Sequence, residues 1–198
     1  CLMGLTTFPP GGGGGGDRGL ATFTAPAASN NTALQAATDL VGAGATLTLT
    51  LTGSYARGVR LTVVSGTITG NVSITGPNPA GGSHTENVTQ ASGDTVKVFG
   101  PGTITVVIPT STCRYSIGTT DWIGLPSTGP AKDVTGTGVG MQLALLWGGI
   151  PYAPELPDTG RVRAPSLAGG YGSWLPSAYG LIAWDGSTTA VLSYLATA

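Results

Sequence analysis

Few side chains in this sequence are of types that do acid–base, nucleophilic or metal chemistry, and their spacing suits none of the three. The only histidine, His84, follows Gly81-Gly82-Ser83 in a turn-like stretch. A serine nucleophile needs a base that is itself oriented by a third group, and Ser83 beside His84 has no such third member. The two glutamates, Glu86 and Glu155, lie far apart, so a paired-carboxylate hydrolase would have to recruit scattered aspartates. Cys1, Cys113 and His84 lack the close ligand spacing of a metal site. No convergent set of titratable groups is visible. The expectation is a protein that is not an enzyme, with no catalytic residue, no metal and no cofactor, and with His84 as a solvated loop residue.

Other motifs read as structure. Two cysteines are too few for a disulfide framework, so both are expected as free thiols, with Cys113 buried near a strand end. A chain beginning with Cys fits loss of an initiator Met, processing, or a mature bacterial lipoprotein, and the residues leave these open. Leu125 to Gly129 (LPSTG) and Leu156 to Gly160 (LPDTG) match the sortase signal. Neither precedes a membrane-long apolar segment and a basic tail, so both are read as turns. Asn30-Asn31-Thr32, Asn71-Val72-Ser73 and Asn87-Val88-Thr89 fit the glycosylation pattern, which would be silent in a bacterial or phage protein.

The composition points away from a solitary soluble domain. Charged residues make up 9% of the 198, and glycines number 34, against about 25% charged and about 7% glycine in ordinary globular chains. Lysine occurs at Lys97 and Lys132 alone. A free monomer keeps its surface charged for solubility, so this surface is expected to be covered by neighbours. A net charge of −1 gives no electrostatic reason to bind nucleic acid or an anionic membrane. No apolar run approaches the ~20 residues of a spanning helix.

The stretch that organises the chain runs from Val59 to Ile117. Apolar residues alternate with small polar ones: Val59, Leu61 and Val63; Ile68, Val72 and Ile74; Val96 and Val98; Ile104, Val106 and Ile108. A period of two puts each set on one face of a pleated sheet. Ser65-Gly66, Gly76 to Gly82, Ser92 to Asp94 and Gly100 to Gly102 supply turn residues between the runs. The pattern predicts an antiparallel meander with one buried face. Thr46 to Thr52 (TLTLTLT) adds a strand with Leu47, Leu49 and Leu51 inward. Thr32 to Leu40 predicts one short helix with Asn31 as its N-cap.

This same stretch resembles a repeat pattern common in virion proteins of tailed bacteriophages. The matching positions are Arg57 to Thr62, Val72 to Gly76, Gly81-Gly82, Thr85-Glu86, Val96 to Phe99, Ile104 to Val107 and Ile117-Gly118. They cover roughly a third of the chain. Pro77-Asn78-Pro79 replaces the usual acidic turn residue. Glu86 falls at the pattern's Thr-Glu position, where the expected role is to cap the hairpin or to pair with Arg57 or Arg60.

The ends differ from this centre. Residues 1–19 read as an N-terminal arm with a six-glycine linker, and the glycines hold no regular structure of their own. Residues 20–124 read as the β-sandwich core. Residues 125–198 read as a Gly/Pro/aromatic-rich extension with a strand at 141–147 and a hairpin at 180–195 around Asp185-Gly186. Its aromatics suit subunit contacts or the second half of one core. The whole predicts an all-β chain, a single Ig-like or jelly-roll-like β-sandwich with an arm. The candidate contact residues are Leu2, Met3, Leu5, Phe8, Trp147, Tyr152, Tyr171, Trp174 and Tyr179. The resemblance implies a structural protein of a phage particle, first a capsid decoration or cement protein. Its partners would be the major capsid protein, other virion proteins and further copies of itself, with no nucleic acid and no membrane. The alternatives are a neck, tail or fibre-base protein, or a host-surface or glycan-binding adhesin, which exposed aromatics around Trp174 would favour.

Overall fold

The computed structural model describes residues 17–89, 93–126, 131–151, 158–164, 172–176 and 183–197. Seven residues of the expected contact set lie outside them: Leu2, Met3, Leu5, Phe8, Tyr152, Tyr171 and Tyr179. The described residues hold no α-helix, and hence none long and apolar enough to cross a membrane. In chain order the strands are β1 (Asp17–Thr24), β2 (Asn30–Val41), β3 (Ala45–Leu51), β4 (Arg57–Thr67) and β5 (Asn71–Pro77). Next come β6 (Ser83–Thr89), β7 (Gly93–Asp94), β8 (Gly102–Ile108) and β9 (Thr112–Gly124). The last are β10 (Val139–Trp147), β11 (Ile150–Pro151), β12 (Asp158–Arg163), β13 (Ser173–Trp174) and β14 (Thr189–Ala196). All pairings are antiparallel, in two sheets, and the fold is all-β and sandwich-like. The small sheet runs β3-β8-β5-β6. The large one runs β1-β14-β10-β12-β13-β9-β4-β7, with β11 on β10 and β2 on β9.

The alternation places the inward faces as expected. Leu49, Leu51, Val59, Leu61, Val72, Ile74, Ile104, Val106 and Ile108 are buried between the sheets with Tyr115 and Ile117. The strand neighbours are a different matter. A simple meander would pair β4 with β5, but β4 pairs with β9, and only β5 and β6 form a hairpin in that region. The chain crosses between sheets at each step from β3 to β5 and again from β6 to β9. Alternation states which side of a strand is apolar and is silent about its hydrogen-bonded neighbour. Val96 and Val98 belong to no strand; residues 95–98 form a loop in which Val98 is buried.

Residues 32–40 are strand, not helix. β2 pairs along β9, from Asn30 opposite Thr119 to Val41 opposite Thr112, with two register shifts. Leu34 and Leu40 pack against the core from this strand. Tertiary pairing overrides a weak helical preference here, because β9 would otherwise leave an unpaired edge. Gly118 makes the approach possible: a Cβ there would overlap the backbone of Asn30 and Asn31.

The C-terminal part is woven into the large sheet. β10 covers the expected strand at 141–147. β14 pairs with β1 on one side and β10 on the other, so no hairpin forms from Ala183-Trp184, and 177–182 lie outside the described residues. The Asp185-Gly186 turn itself exists. Asp185 accepts from Ser187 N (2.8 Å), Thr188 N (2.7 Å) and Thr188 Oγ1 (2.7 Å). These bonds hold its carboxyl far below the usual carboxylate range. Asp158–Gly160, the end of the LPDTG match, opens β12 instead of a turn.

A second core joins β1 to this region. Phe23, Ile123, Leu145, Val162, Trp174, Trp184, Leu192 and Tyr194 are buried together. Phe23 stacks on Trp174 with centroids 5.7 Å apart and meets Trp184 edge-on at 5.8 Å. Trp174 Nε1 donates to Gln142 Oε1 (2.9 Å) and Trp184 Nε1 to the Asp121 carbonyl (3.0 Å), which satisfies the indole N–H that burial would otherwise strand. β9 spans both cores, with Tyr115 and Ile117 in the first and Ile123 in the second.

Candidate interaction surface

The outer face of the small sheet is rich in hydroxyls and free of charge. Since Leu47, Leu49, Leu51, Ile104, Val106, Val72 and Ile74 point inward, their neighbours point out. Those neighbours are Thr46, Thr48, Thr50, Thr103, Thr105, Val107, Asn71, Ser73, Thr75, Ser83, Thr85, Asn87 and Thr89. The register stacks them into rows across the four strands. Thr48 faces Thr105, Thr105 faces Thr75, and Thr75 faces Thr85. The next row is Thr46, Val107, Ser73 and Asn87. Thr75 and Thr85 share a hydrogen bond between hydroxyls (2.7 Å), a cross-strand pair of the kind that stabilises a sheet face. The four strands carry one ionisable carboxylate, Glu86, and one imidazole, His84, and neither belongs to the outward rows. The outward threonines were visible in the sequence as every second residue of TLTLTLT, GTITV and SITG.

Several charged side chains lie elsewhere, in a seam around the loop at 95–99, while Asp39 and Arg114 pair apart from it between β2 and β9. Glu86 reaches out of β6 and accepts from Val96 N (2.5 Å) and Lys97 N (2.7 Å). It thus caps the loop and does not pair with Arg57 or Arg60. Arg163, from β12, donates to the Val96 carbonyl (2.7 Å) and lies 3.4 Å over the Trp122 ring. Burial lowers its pKa to about 10, against the raising pull of Glu86 and Asp94. Arg57 is buried and donates to the Thr120 carbonyl (2.6 and 3.1 Å) and the Ala27 carbonyl (2.7 Å). Arg60 holds Asp94 in a two-pronged pair at 2.6 and 2.8 Å, which raises its pKa above the ordinary value. Thr95, fully buried, accepts from Val59 N (2.9 Å) and donates to the Lys97 carbonyl (2.8 Å).

His84 is not the solvated loop residue expected. It lies in β6 opposite Gly76 and stacks on Phe99 with ring centroids 4.4 Å apart. Both ring nitrogens are buried without a hydrogen-bond partner. Gly76 creates the space: a Cβ there would press on Ile104 at 2.6 Å and Phe99 at 3.0 Å. Burial, then the charge of Lys97, lowers the His84 pKa.

Of the expected contact residues within the described chain, Trp147 is half-buried against the aromatic core and Trp174 is fully buried inside it. Trp174 is therefore unavailable to a neighbouring subunit or to a glycan, because its own chain encloses it. Cys113 is a buried free thiol whose pKa burial raises. Among the described residues no group of three or more His, Cys, Asp or Glu could hold a metal. A cleft of about 270 Å³ beside Tyr55 is lined by Phe23, Pro79, Pro101, Leu125 and Pro126. Among its described lining residues Tyr55 is the one titratable group. No family model matches the chain, and neither a curated protein nor a solved structure does.

Proposed function

We propose that the chain is a non-enzymatic structural protein of a bacteriophage particle, with capsid decoration or cementing as its role and the charge-free small-sheet face as its contact. That face is the observation that carries the reading. Interface centres are depleted in charge, and a threonine face can be covered without desolvating an ion. Four seven-residue strands span roughly 450 Å², from ~4.8 Å between strands and ~3.3 Å per residue. A standard stable interface takes about 800 Å² per partner. One face is thus too small to hold alone and suits a lattice, where many copies and further contacts add. Binding only to the assembled shell would shift the balance toward it by mass action.

The burial of Trp174 counts against the adhesin alternative, which calls for exposed aromatics around it. A neck, tail or fibre-base role uses the same face. Gold-labelled antibody on phage particles separates these: label on heads is the expected result, and particles without label would overturn the reading. The face is tested by Thr48→Lys with Thr105→Lys. The expected result is at least a tenfold loss of copies per particle. Wild-type occupancy would show that another surface makes the contact.

A further inference from the structure

We infer that β3 is an open sheet edge on which two copies of this chain join, β3 against β3, antiparallel about a twofold axis at Thr48. β3 is the outer strand of the small sheet and pairs with β8 from Ala45 to Leu51 without a register shift. Among the described residues no other strand pairs with it, and the chain is described on both sides of it, over 30–44 and 52–56. The direction of its polar groups follows from the β5–β6 hairpin. Asn78 N donates to the Gly82 carbonyl (3.0 Å), while the Pro77 carbonyl turns the other way and accepts from Gly100 N (2.9 Å). Alternation along β5 therefore turns Ser73 and Thr75 to β8, where they pair with Val107 and Thr105. The intervening Ile104, Val106 and Ile108 turn to β3, opposite Leu49, Leu47 and Ala45. The N–H and C=O groups of Thr46, Thr48 and Thr50 are left pointing out of the sheet. At the opposite edge the same alternation turns the Thr85 carbonyl outward, where Lys97 Nζ meets it (3.5 Å). The turn at Gly42 (φ 76°), where Ala43 N returns to the Val41 carbonyl (3.0 Å), separates this alternation from that of β2.

Natural edges are protected by lysine, proline or a bulge. From Gly42 to Gly53 the sequence has no lysine, no proline and no charged residue, and β3 carries no bulge. A second copy fits better than an unrelated strand because β3 is complementary to itself. Thr46-Leu47-Thr48-Leu49-Thr50 reads the same in both directions. About an axis at Thr48, each Thr46 meets the other copy's Thr50, and the two Thr48 residues meet each other. Each of these pairs exchanges two hydrogen bonds, and threonine lies beside threonine on the outer face, a favourable cross-strand pair. On the inner face each Leu47, half-buried in one copy, meets the other copy's Leu49 and gains the apolar cover it lacks. No like charges meet. The joined small sheets would present about 900 Å² of charge-free face, above the ~800 Å² that a standard interface takes from one partner. The pairing itself does not rest on the virion reading.

The test is the oligomeric state of the purified chain and the register of its contact, neither of which needs a phage particle. Sedimentation equilibrium should find a dimer. Thr48→Pro removes only an outward N–H, which an edge strand tolerates, and should give a monomer with an unchanged far-ultraviolet spectrum. In a Cys1→Ser background, Thr48→Cys should form a disulfide dimer with diamide, because paired Cα atoms there lie ~5.5 Å apart. Thr50→Cys should crosslink at least tenfold more slowly, since the two copies are about 13 Å apart at that position. A monomeric wild type, or equal crosslinking at both positions, would overturn the proposal.

Discussion

The seam around residues 95–99 and the outer face of the small sheet share strands yet treat charge in opposite ways. Glu86 and Thr85 are consecutive in β6. One turns in to cap a loop and the other turns out into a row of hydroxyls. Arg57, Arg60, Glu86, Asp94 and Arg163 all act within the chain, on backbone carbonyls, amides or each other. A chain with 9% charged residues thus ties Glu86 of the small sheet and Arg163 of the large one to the same loop and leaves the outer face of the small sheet without charge. Scarcity of charge is a property of a place, and the place can be tested separately from the rest of the molecule.

The sharpest break should come from the seam. Glu86→Ala removes a carboxylate that caps two amides, and hydrogen bonds to charged groups contribute about 1.5–3 kcal/mol each. We expect roughly 3 kcal/mol less stability in urea unfolding. A loss below about 0.5 kcal/mol would show that solvent replaces the cap.

Next is acid. The folded pKa of His84 lies below its ordinary 6.5 because burial and Lys97 disfavour the charged ring. The unfolded chain therefore takes up a proton at higher pH than the fold does. The stability present above pH 6.5 should fall as pH drops through that value toward the folded pKa. Comparing pH 7 with pH 5 in wild type and His84→Phe isolates the contribution; parallel curves would exclude it.

A smaller effect is expected where the seam meets solvent. Arg60 and Asp94 are each about one-third exposed, and a double-mutant cycle on them should give under about 1 kcal/mol. A coupling near 3 kcal/mol would make this pair as important as the buried cap. The smallest effect on stability belongs to the threonine face. Thr48→Ala with Thr105→Ala should change unfolding by about 0.5 kcal/mol or less, as for surface positions generally. A larger loss would mean that the rows of hydroxyls hold the fold and are not reserved for a partner.

Much of this contrast was legible in advance. TLTLTLT places Leu49 and Leu51 in the core with no further information, and the same alternation implies that Thr48 and Thr50 point out. The structural role expected of Glu86 agrees with the fold, but it caps the loop at 95–99 instead of the hairpin or an arginine. Two other expectations failed for a common reason. Residues 32–40 look helical only until β9 offers them a ladder, and His84 looks solvated only until Phe99 folds beneath it. Both depend on residues distant in the chain, which a local reading does not weigh. Of the two readings of the aromatic residues after Gly124, Trp174 and Trp184 follow the one that makes them part of a core. Trp174 and Trp184 have the character of contact residues, but β1 returns from the other end of the chain and encloses them around Phe23.

By itself, the sequence determined the all-β class, the inward faces of the alternating strands and the poverty of charge, because side-chain alternation and composition are properties of a strand taken alone. Only the tertiary structure decided which strands pair, that Trp174 and Trp184 fill an internal core, and that Arg57, Arg60, Glu86, Asp94 and Arg163 lie around the loop at 95–99. Those outcomes are set by contacts between residues far apart in the chain, where burial and hydrogen-bond satisfaction are settled jointly.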